Sequence, residues 1–351
     1  MPIDPVRGRG TAHNPDNRFA PTSSTLEDDG WWQEVPEAQV TEVRIELAKS
    51  IITRNRSPDI PFDRSINPYR GCEHGCIYCY ARPSHAYWDL SPGIDFETRL
   101  IAKTNAVQRL EEQLGKPGYR CAPVNLGSNT DPYQPIERQY RLTREVLETL
   151  LRYRHPVTVV TKGAMILRDL DLLAELASLR LVKVMISLTT LDDALKCILE
   201  PRAASPGARL RAIRQLRASG VPVGVLCSPM IPMINDCELE ALVAAAAEAG
   251  AQSADYTFLR LPLEVAPLFE QWLADHYPQR AEHVLSLVRQ SRGGELYDAR
   301  FGSRMRAEGL FAELLAKRFA RAIRHHGLEK REGYALDTTQ FCPPGRQMNL
   351  L

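Results

Sequence analysis

No run in this chain of 351 residues approaches the ~20 consecutive apolar residues of a membrane span, so no membrane association is expected. Charge of one sign is also lacking: 44 Lys and Arg face 43 Asp and Glu, for a formal net charge of +1. Such a balance exerts no global pull toward nucleic acid or membrane. The first residues, Met1-Pro2-Ile3-Asp4-Pro5-Val6-Arg7-Gly8-Arg9-Gly10, hold no apolar stretch, so no signal peptide is expected. Cysteine is limited to eight scattered residues, which fits a reducing compartment better than a disulfide scaffold. The expectation is a soluble cytoplasmic protein. What remains is ordinary, 44% hydrophobic and 25% charged, enough for one large α/β domain with extensions or two smaller ones.

Three of the cysteines share one short loop, Arg70-Gly71-Cys72-Glu73-His74-Gly75-Cys76-Ile77-Tyr78-Cys79-Tyr80. A cubane iron–sulfur cluster takes four ligands, and ferredoxin-type runs supply the fourth from further along the chain. Here the next cysteine is Cys121. A cluster held by three thiolates keeps one iron open, and an open position separates a catalytic metal site from a structural one. Structural zinc would need a second Cys or His pair; only His74 or Cys342 offers itself as a fourth ligand.

The loop, with Tyr78 ahead of its last cysteine, resembles the signature of radical S-adenosylmethionine (SAM) enzymes. The resemblance implies that Cys72, Cys76 and Cys79 hold a four-iron four-sulfur (4Fe-4S) cluster and that the amino and carboxylate groups of SAM chelate the open iron. One electron then cleaves SAM to methionine and a 5′-deoxyadenosyl radical that takes hydrogen from a substrate. An electron donor such as flavodoxin or ferredoxin is implied as a partner.

Residues 1–38 are rich in Pro, Arg, Gly, Asn and Ser and are expected to form a flexible or draped arm; Arg7 and Arg9 in it are candidates for phosphate contact, or simply solvated. A lead-in segment, 39–63, contains an alternating stretch from Val40 to Ile52 that reads as a strand. Ser65-Ile66-Asn67-Pro68-Tyr69 is a short strand delivering the cysteine loop. Helix periodicity follows near 97–114, 138–154, 166–178, 206–219 and 238–249. Between these lie apolar, β-branched runs at Pro123–Leu126, Val157–Val160, Val182–Ile186, Val221–Leu226 and Tyr256–Leu259. Six βα units argue for a parallel sheet with helices outside it, either an open doubly wound sheet or a partial barrel. The resemblance implies the second: a partial (β/α)6 TIM-type barrel over residues 64–262. The remaining 263–351 reads as a helical extension, with eleven Lys and Arg against seven Asp and Glu between 281 and 334, a phosphate-contacting face or a solvated one.

Barrel chemistry sits on the loops after the strands. After the second strand come Gly127-Ser128-Asn129-Thr130-Asp131-Pro132-Tyr133-Gln134-Pro135-Ile136-Glu137, small polar groups suited to an ammonium or carboxylate, or to capping a helix. This segment, together with Asn67-Pro68-Tyr69-Arg70-Gly71-Cys72, resembles a DNA repair photolyase-like group of bacterial proteins related to spore photoproduct lyase, over roughly residues 40–345. The resemblance implies SAM contacts from Ser128, Asn129, Asp131 and Glu137, from Lys162 at the third strand's end, and from Ser187 at the fourth. Ile77 and Tyr78 are expected against the adenine. One of Arg202 and Arg209 is expected to clamp a carboxylate, and Asn235 or Asp236 to face substrate.

Spore photoproduct lyases carry a hydrogen-donating cysteine at the place of Ser128, and a hydroxyl is a far poorer hydrogen-atom donor than a thiol. Cys121, Cys227 and Cys342 are therefore the candidate donors. Three functions stay open: radical chemistry on a nucleic acid, radical chemistry on a protein or small metabolite, and a non-enzymatic electron-transfer or sensor protein.

Overall fold

The computed structural model describes residues 8–11, 13–19, 40–330 and 335–344. Its strands, in chain order, are β1 (Glu42–Glu46), β2 (Ile52–Arg54), β3 (Arg64–Ile66), β4 (Tyr69–Arg70), β5 (Arg99–Lys103), β6 (Val124–Leu126), β7 (Val157–Thr161), β8 (Val182–Ser187), β9 (Val223–Met230), β10 (Ser253–Phe258) and β11 (Glu329–Lys330). The main sheet has the order β11-β10-β9-β8-β7-β6-β3-β2. Its six central strands are all parallel, and β2 runs antiparallel at the edge.

That strand order decides between the two architectures. A doubly wound sheet reverses direction at a switch point; here each strand lies beside the next in sequence, so every crossover steps the same way. The sheet therefore follows the course of a partial barrel. Among the described residues β2 and β11 do not pair with each other, and the arc stays open on that side.

Alternation along the strands assigns the two faces. Leu126, Val159, Val184, Val223 and Val225 are fully or almost fully buried in the layer between sheet and helices, with Leu147, Leu173, Ile213 and Leu242 from the helices. Asn125, Met185 and Gly224 occupy the opposite parity. Helix ends are set locally: Ser205 accepts from the Ala208 N–H at 3.2 Å, with Pro206 in the first turn, to start the helix Pro206–Ala218.

Two stretches depart from their sequence patterns. Residues 99–103 read as the start of a helix but form β5, pairing in parallel with β1 and antiparallel with β4. Three consecutive buried residues, Leu100, Ile101 and Ala102, suit a strand with a partner on each side, and the helix begins only at Ala106. The Val40–Ile52 strand is split: β1 joins this second sheet, and β2 joins the main one.

The described part of the arm is draped over the cysteine loop. Gly10 donates to Glu97 Oε2 at 2.8 Å, Asn14 to Asp95 at 2.9 Å and Arg18 to Glu264 at 2.6 Å. Arg9 is spent on the Glu97 carbonyl and Thr41; Arg7 lies outside the described residues. In the tail, Phe319 packs on Tyr256 with centroids 4.7 Å apart, and Arg318 on the same helix pairs with Glu240 at 2.7 Å. No described helix is long and apolar enough to cross a membrane.

Candidate active site at the cysteine loop

Two glycines shape the loop. Gly71 has φ +71°, and a Cβ there would stand 2.6 Å from Leu100 Cδ2; Gly75 has φ +66°, and its Cβ would meet Glu97 Oε2 at 2.6 Å. Only glycine takes such a conformation in such space at no steric cost. The loop backbone is then tied down from four directions. Cys72 N–H donates to Phe96 at 2.8 Å and Ile77 N–H to Leu199 at 3.1 Å. Gln134, fully buried, accepts from Glu73 N–H at 3.0 Å and donates to the Gly71 carbonyl at 3.2 Å. Arg82, also fully buried, donates to the Cys76 carbonyl at 3.0 Å and forms an ion pair with Glu97.

Cys72 and Cys76 are buried, Cys79 is half-buried, and none forms a disulfide. Burial, aided by Asp131, pushes the Cys72 thiol well up; burial and then Glu200 push Cys76 up to about 12. Thiols that hold their protons this firmly are released from them by a metal centre, which deprotonates its thiol ligands outright. The donor set is thus three thiols on one rigid loop, one short of the four ligands a cubane cluster takes. Among the described residues no three His, Cys, Asp or Glu groups converge to hold a single metal ion. His74, the near candidate for a zinc tetrahedron, turns instead toward Asp131, with Nδ1 3.3 Å from Oδ2.

Polar groups at the carboxyl ends of the neighbouring strands surround the loop. Asn67 organises the segment after β6, its Oδ1 accepting from Asn129 N–H at 2.8 Å and its Nδ2 donating to Ser128 Oγ at 3.1 Å. Asp131 accepts from Thr161 Oγ1 at 2.6 Å and from the Lys162 N–H at 2.7 Å. Burial opposes its charge, yet His74 and these donors hold its carboxyl down to about 2. The Lys162 ammonium stands 5.8 Å from the centroid of the Tyr78 ring. Burial disfavours its charge, but Cys76 and Glu200 outweigh that and raise it. Beneath Tyr78 lies Glu200, fully buried, which accepts from the Tyr78 hydroxyl, from Thr189 Oγ1 at 2.7 Å and from Arg209. Against its burial, Arg209 and Lys162 hold its carboxyl down to about 2.

A family model described as the radical SAM superfamily matches residues 66–246, more than half of the chain and the whole of this site. The chain belongs to the radical SAM superfamily. It is 37% identical over 249 residues to an uncharacterized protein of Mycobacterium tuberculosis, covering 70% of this chain and 73% of that one. It is 27% identical over 219 residues to an uncharacterized protein of Methanocaldococcus jannaschii, covering 62% and 78%. Among solved structures, a spore photoproduct lyase variant superposes with a TM-score of 0.59 at 15% identity, over 81% of this chain and 79% of that one. The same lyase complexed with dinucleoside spore photoproduct gives 0.57 at 16% identity, with the same coverage. Those likenesses establish a shared fold.

Within this radical SAM mouth the sequence candidates fall into two groups. Ser128, Asn129, Asp131, Lys162 and Ser187 all stand at strand ends on the side of the cysteine loop. Ser187 Oγ donates to the Ser228 carbonyl at 3.4 Å. Several others are occupied by the protein itself. Glu137 is fully buried and accepts from Tyr69, from Arg168 at 2.6 Å and from Thr143 N–H at 3.0 Å, so it caps the following helix rather than facing a ligand. Arg209 donates to Glu200, to the Ser187 carbonyl at 3.0 Å and to Ala204 at 2.9 Å; of the two arginines only Arg202 reaches the surface, paired with Glu73 at 3.1 Å. Ile77 is a core residue and the Tyr78 hydroxyl is engaged by Glu200. Asn235 is closed on Ile231, Thr189 and Pro229, and Asp236 lies 3.7 Å from Arg318.

The three candidate hydrogen donors do not reach the mouth. Cys342 N–H donates to the Tyr153 carbonyl at 3.0 Å, and its neighbour Phe341 packs on Tyr119 and His155, at the amino ends of the strands. Cys121 lies at the same pole, beside Arg64 at the start of β3. Cys227 shares the parity of Val223 and Val225 and packs into the layer between sheet and helices. Gln134, Arg82, Glu97, Asn67 and Glu200 were not singled out by sequence reading. Gln134 and Asn67 do lie inside the motifs quoted above, where a polar residue flanked by turn formers was the available signal.

Proposed function

We propose that this radical SAM enzyme holds a 4Fe-4S cluster on Cys72, Cys76 and Cys79 and binds SAM across the mouth formed by Ser128, Asn129, Asp131, Lys162 and Ser187. Bound there, cluster and SAM would supply a 5′-deoxyadenosyl radical able to take hydrogen from a substrate. Lys162 supplies a positive charge matched to the carboxylate of an amino acid, and Asp131, whose oxygens are taken by Thr161, the Tyr133 and Lys162 N–H groups and His74, holds the strand end carrying Lys162 in place. The observation that carries this reading is the rigid three-thiol loop beside that ammonium.

The substrate we infer is a nucleic acid with unpaired bases. Directly after Cys79, the segment 80–88 presents Tyr80, Tyr87 and Trp88 at 53%, 70% and 38% exposure. Each lies near a guanidinium: Arg260 is 5.8 Å from the Tyr80 ring, Arg18 is 5.5 Å from Tyr87, and Arg70 is 3.9 Å from Trp88. Exposed aromatics interleaved with arginine form the stacking platform by which single-stranded nucleic acid is held. What favours this row over the basic tail is its three exposed aromatics in one segment directly after Cys79; arginines are ion-paired in both places, Arg18 with Glu264, Arg70 with Glu46 and Arg318 with Glu240. A solved structure of similar fold is spore photoproduct lyase with bound AdoMet and dinucleoside spore photoproduct. Trp88→Ala and Tyr87→Ala are each expected to weaken binding of a short single-stranded oligonucleotide by about 1–3 kcal/mol, roughly 5- to 150-fold, in a fluorescence titration at low salt. Wild-type protein that binds no oligonucleotide under those conditions would turn the reading to a protein or small-metabolite substrate.

A further inference from the structure

Of the three guanidiniums along the aromatic row, two are already neutralised: Arg18 pairs with Glu264 at 2.6 Å and Arg70 with Glu46 at 2.7 Å. Arg260 is different. It follows β10 at the carboxyl end of the sheet, and among the described residues it has no carboxylate partner. Its Nη1 donates to Met305 Sδ at 2.7 Å and its Nη2 to the Tyr297 hydroxyl at 3.4 Å, a thioether and a phenol rather than a charged acceptor. Its Nε is buried without a hydrogen-bond partner. A second arginine stands behind it. Arg292, 6% exposed, donates to the carbonyls of Phe258, Leu259, Arg304 and Arg306 at 3.5, 3.1, 2.9 and 2.8 Å, and its Nε is likewise unpartnered. Burial, and then the Arg260 charge beside it, lower the Arg292 guanidinium to about 10. The acid that Arg292 feels is Asp298, whose own carboxylate is taken by Arg300 and Ser303.

Two positive charges thus stand together with no carboxylate paired to either, an arrangement that an anion completes. It lies at the mouth. The Arg260 guanidinium is 5.8 Å from the centroid of the Tyr80 ring, and the Tyr80 hydroxyl donates to the carbonyl of the mouth residue Ser128. A phosphate offers a planar guanidinium fork the paired, charged acceptors that a thioether and a phenol do not. We propose that Arg260 takes a phosphate of the substrate while the adjoining base stacks on Tyr80. Arg292 is a positioning residue in this account: it holds the backbone of Arg304 and Arg306, and with it Met305, against Arg260. The proposal rests on the nucleic-acid reading above and narrows it. The substrate carries a phosphate next to the base on Tyr80, so a nucleotide or an oligonucleotide is taken in preference to a free nucleoside.

The test uses the full-length protein with a short single-stranded oligonucleotide as the probe, and Arg260→Gln and Arg260→Lys as variants. Binding is followed by fluorescence titration over a range of salt, independently of turnover. Arg260→Gln should weaken binding at least about fivefold at low salt and flatten the dependence of log affinity on log salt by about 0.7, the share of one single-strand phosphate. Arg260→Lys keeps the charge and should keep that slope, while losing part of the affinity with the fork. Replacing one phosphodiester at a time by a neutral methylphosphonate should cost wild type a similar factor at one linkage, and in Arg260→Gln that linkage should no longer matter. The scan on wild type and Arg260→Lys decides the question even where Arg260→Gln does not fold. A salt slope unchanged in Arg260→Gln, or a scan with no linkage that stands out in wild type, would overturn the proposal. Wild type that binds no oligonucleotide, yet binds inorganic phosphate in a way that Arg260→Gln abolishes, would leave the phosphate site standing for a small phosphorylated compound and remove the nucleic-acid reading instead.

Discussion

Cys76→Ala is expected to abolish cluster retention and SAM cleavage together while leaving the fold in place. A cube that already leaves one iron without a protein ligand has no thiolate to spare, and three of the five other cysteines lie well away from the loop. Cys121 and Cys342 sit at the amino ends of the strands, and Cys227 packs among the helices. The structural cost is small because the loop is held by its backbone, through Phe96, Leu199, Gln134 and Arg82, rather than by the sulfur. Iron and sulfide content after anaerobic reconstitution should drop to background, and 5′-deoxyadenosine should fall by at least about 10³-fold, the order by which loss of an indispensable group lowers turnover. Circular dichroism should stay unchanged. Cys121→Ala, treated identically, should keep both cluster and cleavage. A Cys76→Ala protein that retains its full iron and sulfide would show that the cluster lies elsewhere.

Glu97→Ala is expected to be the most destabilising single change near the site. Arg82 and Glu97 are both fully buried and paired, and Arg82 also donates to the carbonyls of Cys76, Pro92 and Gly93. Deleting the carboxylate leaves a guanidinium without a counter-charge in the interior, which costs about 3–5 kcal/mol. It also frees Gly10, whose N–H reaches Glu97 at 2.8 Å, so the arm loosens from the loop. Urea unfolding should show the midpoint shift with little change in slope. The double replacement Arg82→Met with Glu97→Met should recover much of the loss, because the desolvation of both charges is relieved together. A Glu97→Ala midpoint within about 1 kcal/mol of wild type, on the scale of an ordinary substitution, would mean that water reaches this pair.

Much of this was readable from local pattern. Five of the six parallel strands announce themselves as apolar, β-branched runs set off by helix-period segments, the sixth as the short stretch before the cysteines, and the cysteine spacing points to a cluster with an open iron. Pattern does not contain strand order, however, and the choice of a partial barrel comes from β3, β6, β7, β8, β9 and β10 lying side by side in sequence. The stretch 99–103 was misread because its strand character depends on β1, more than fifty residues away, to pair with. Side-chain roles were lost for the same reason. Glu137 looks like a mouth carboxylate until Arg168 and Tyr69 are seen to consume its oxygens, and Glu200, which sequence reading passed over, gains its role only from Arg209 and Tyr78. Cys227 is the instructive exception. Its parity with Val223 and Val225 is visible in the sequence, and once those valines are seen to face the helices it places Cys227 on the same side.

The most direct test of the account is to reconstitute the protein anaerobically with iron and sulfide, reduce it, add SAM, and follow 5′-deoxyadenosine, with a deuterated single-stranded oligonucleotide as substrate. The account predicts 5′-deoxyadenosine that depends on Cys72, Cys76 and Cys79 and carries deuterium from the oligonucleotide. A fully loaded, reduced protein that leaves SAM intact would contradict it.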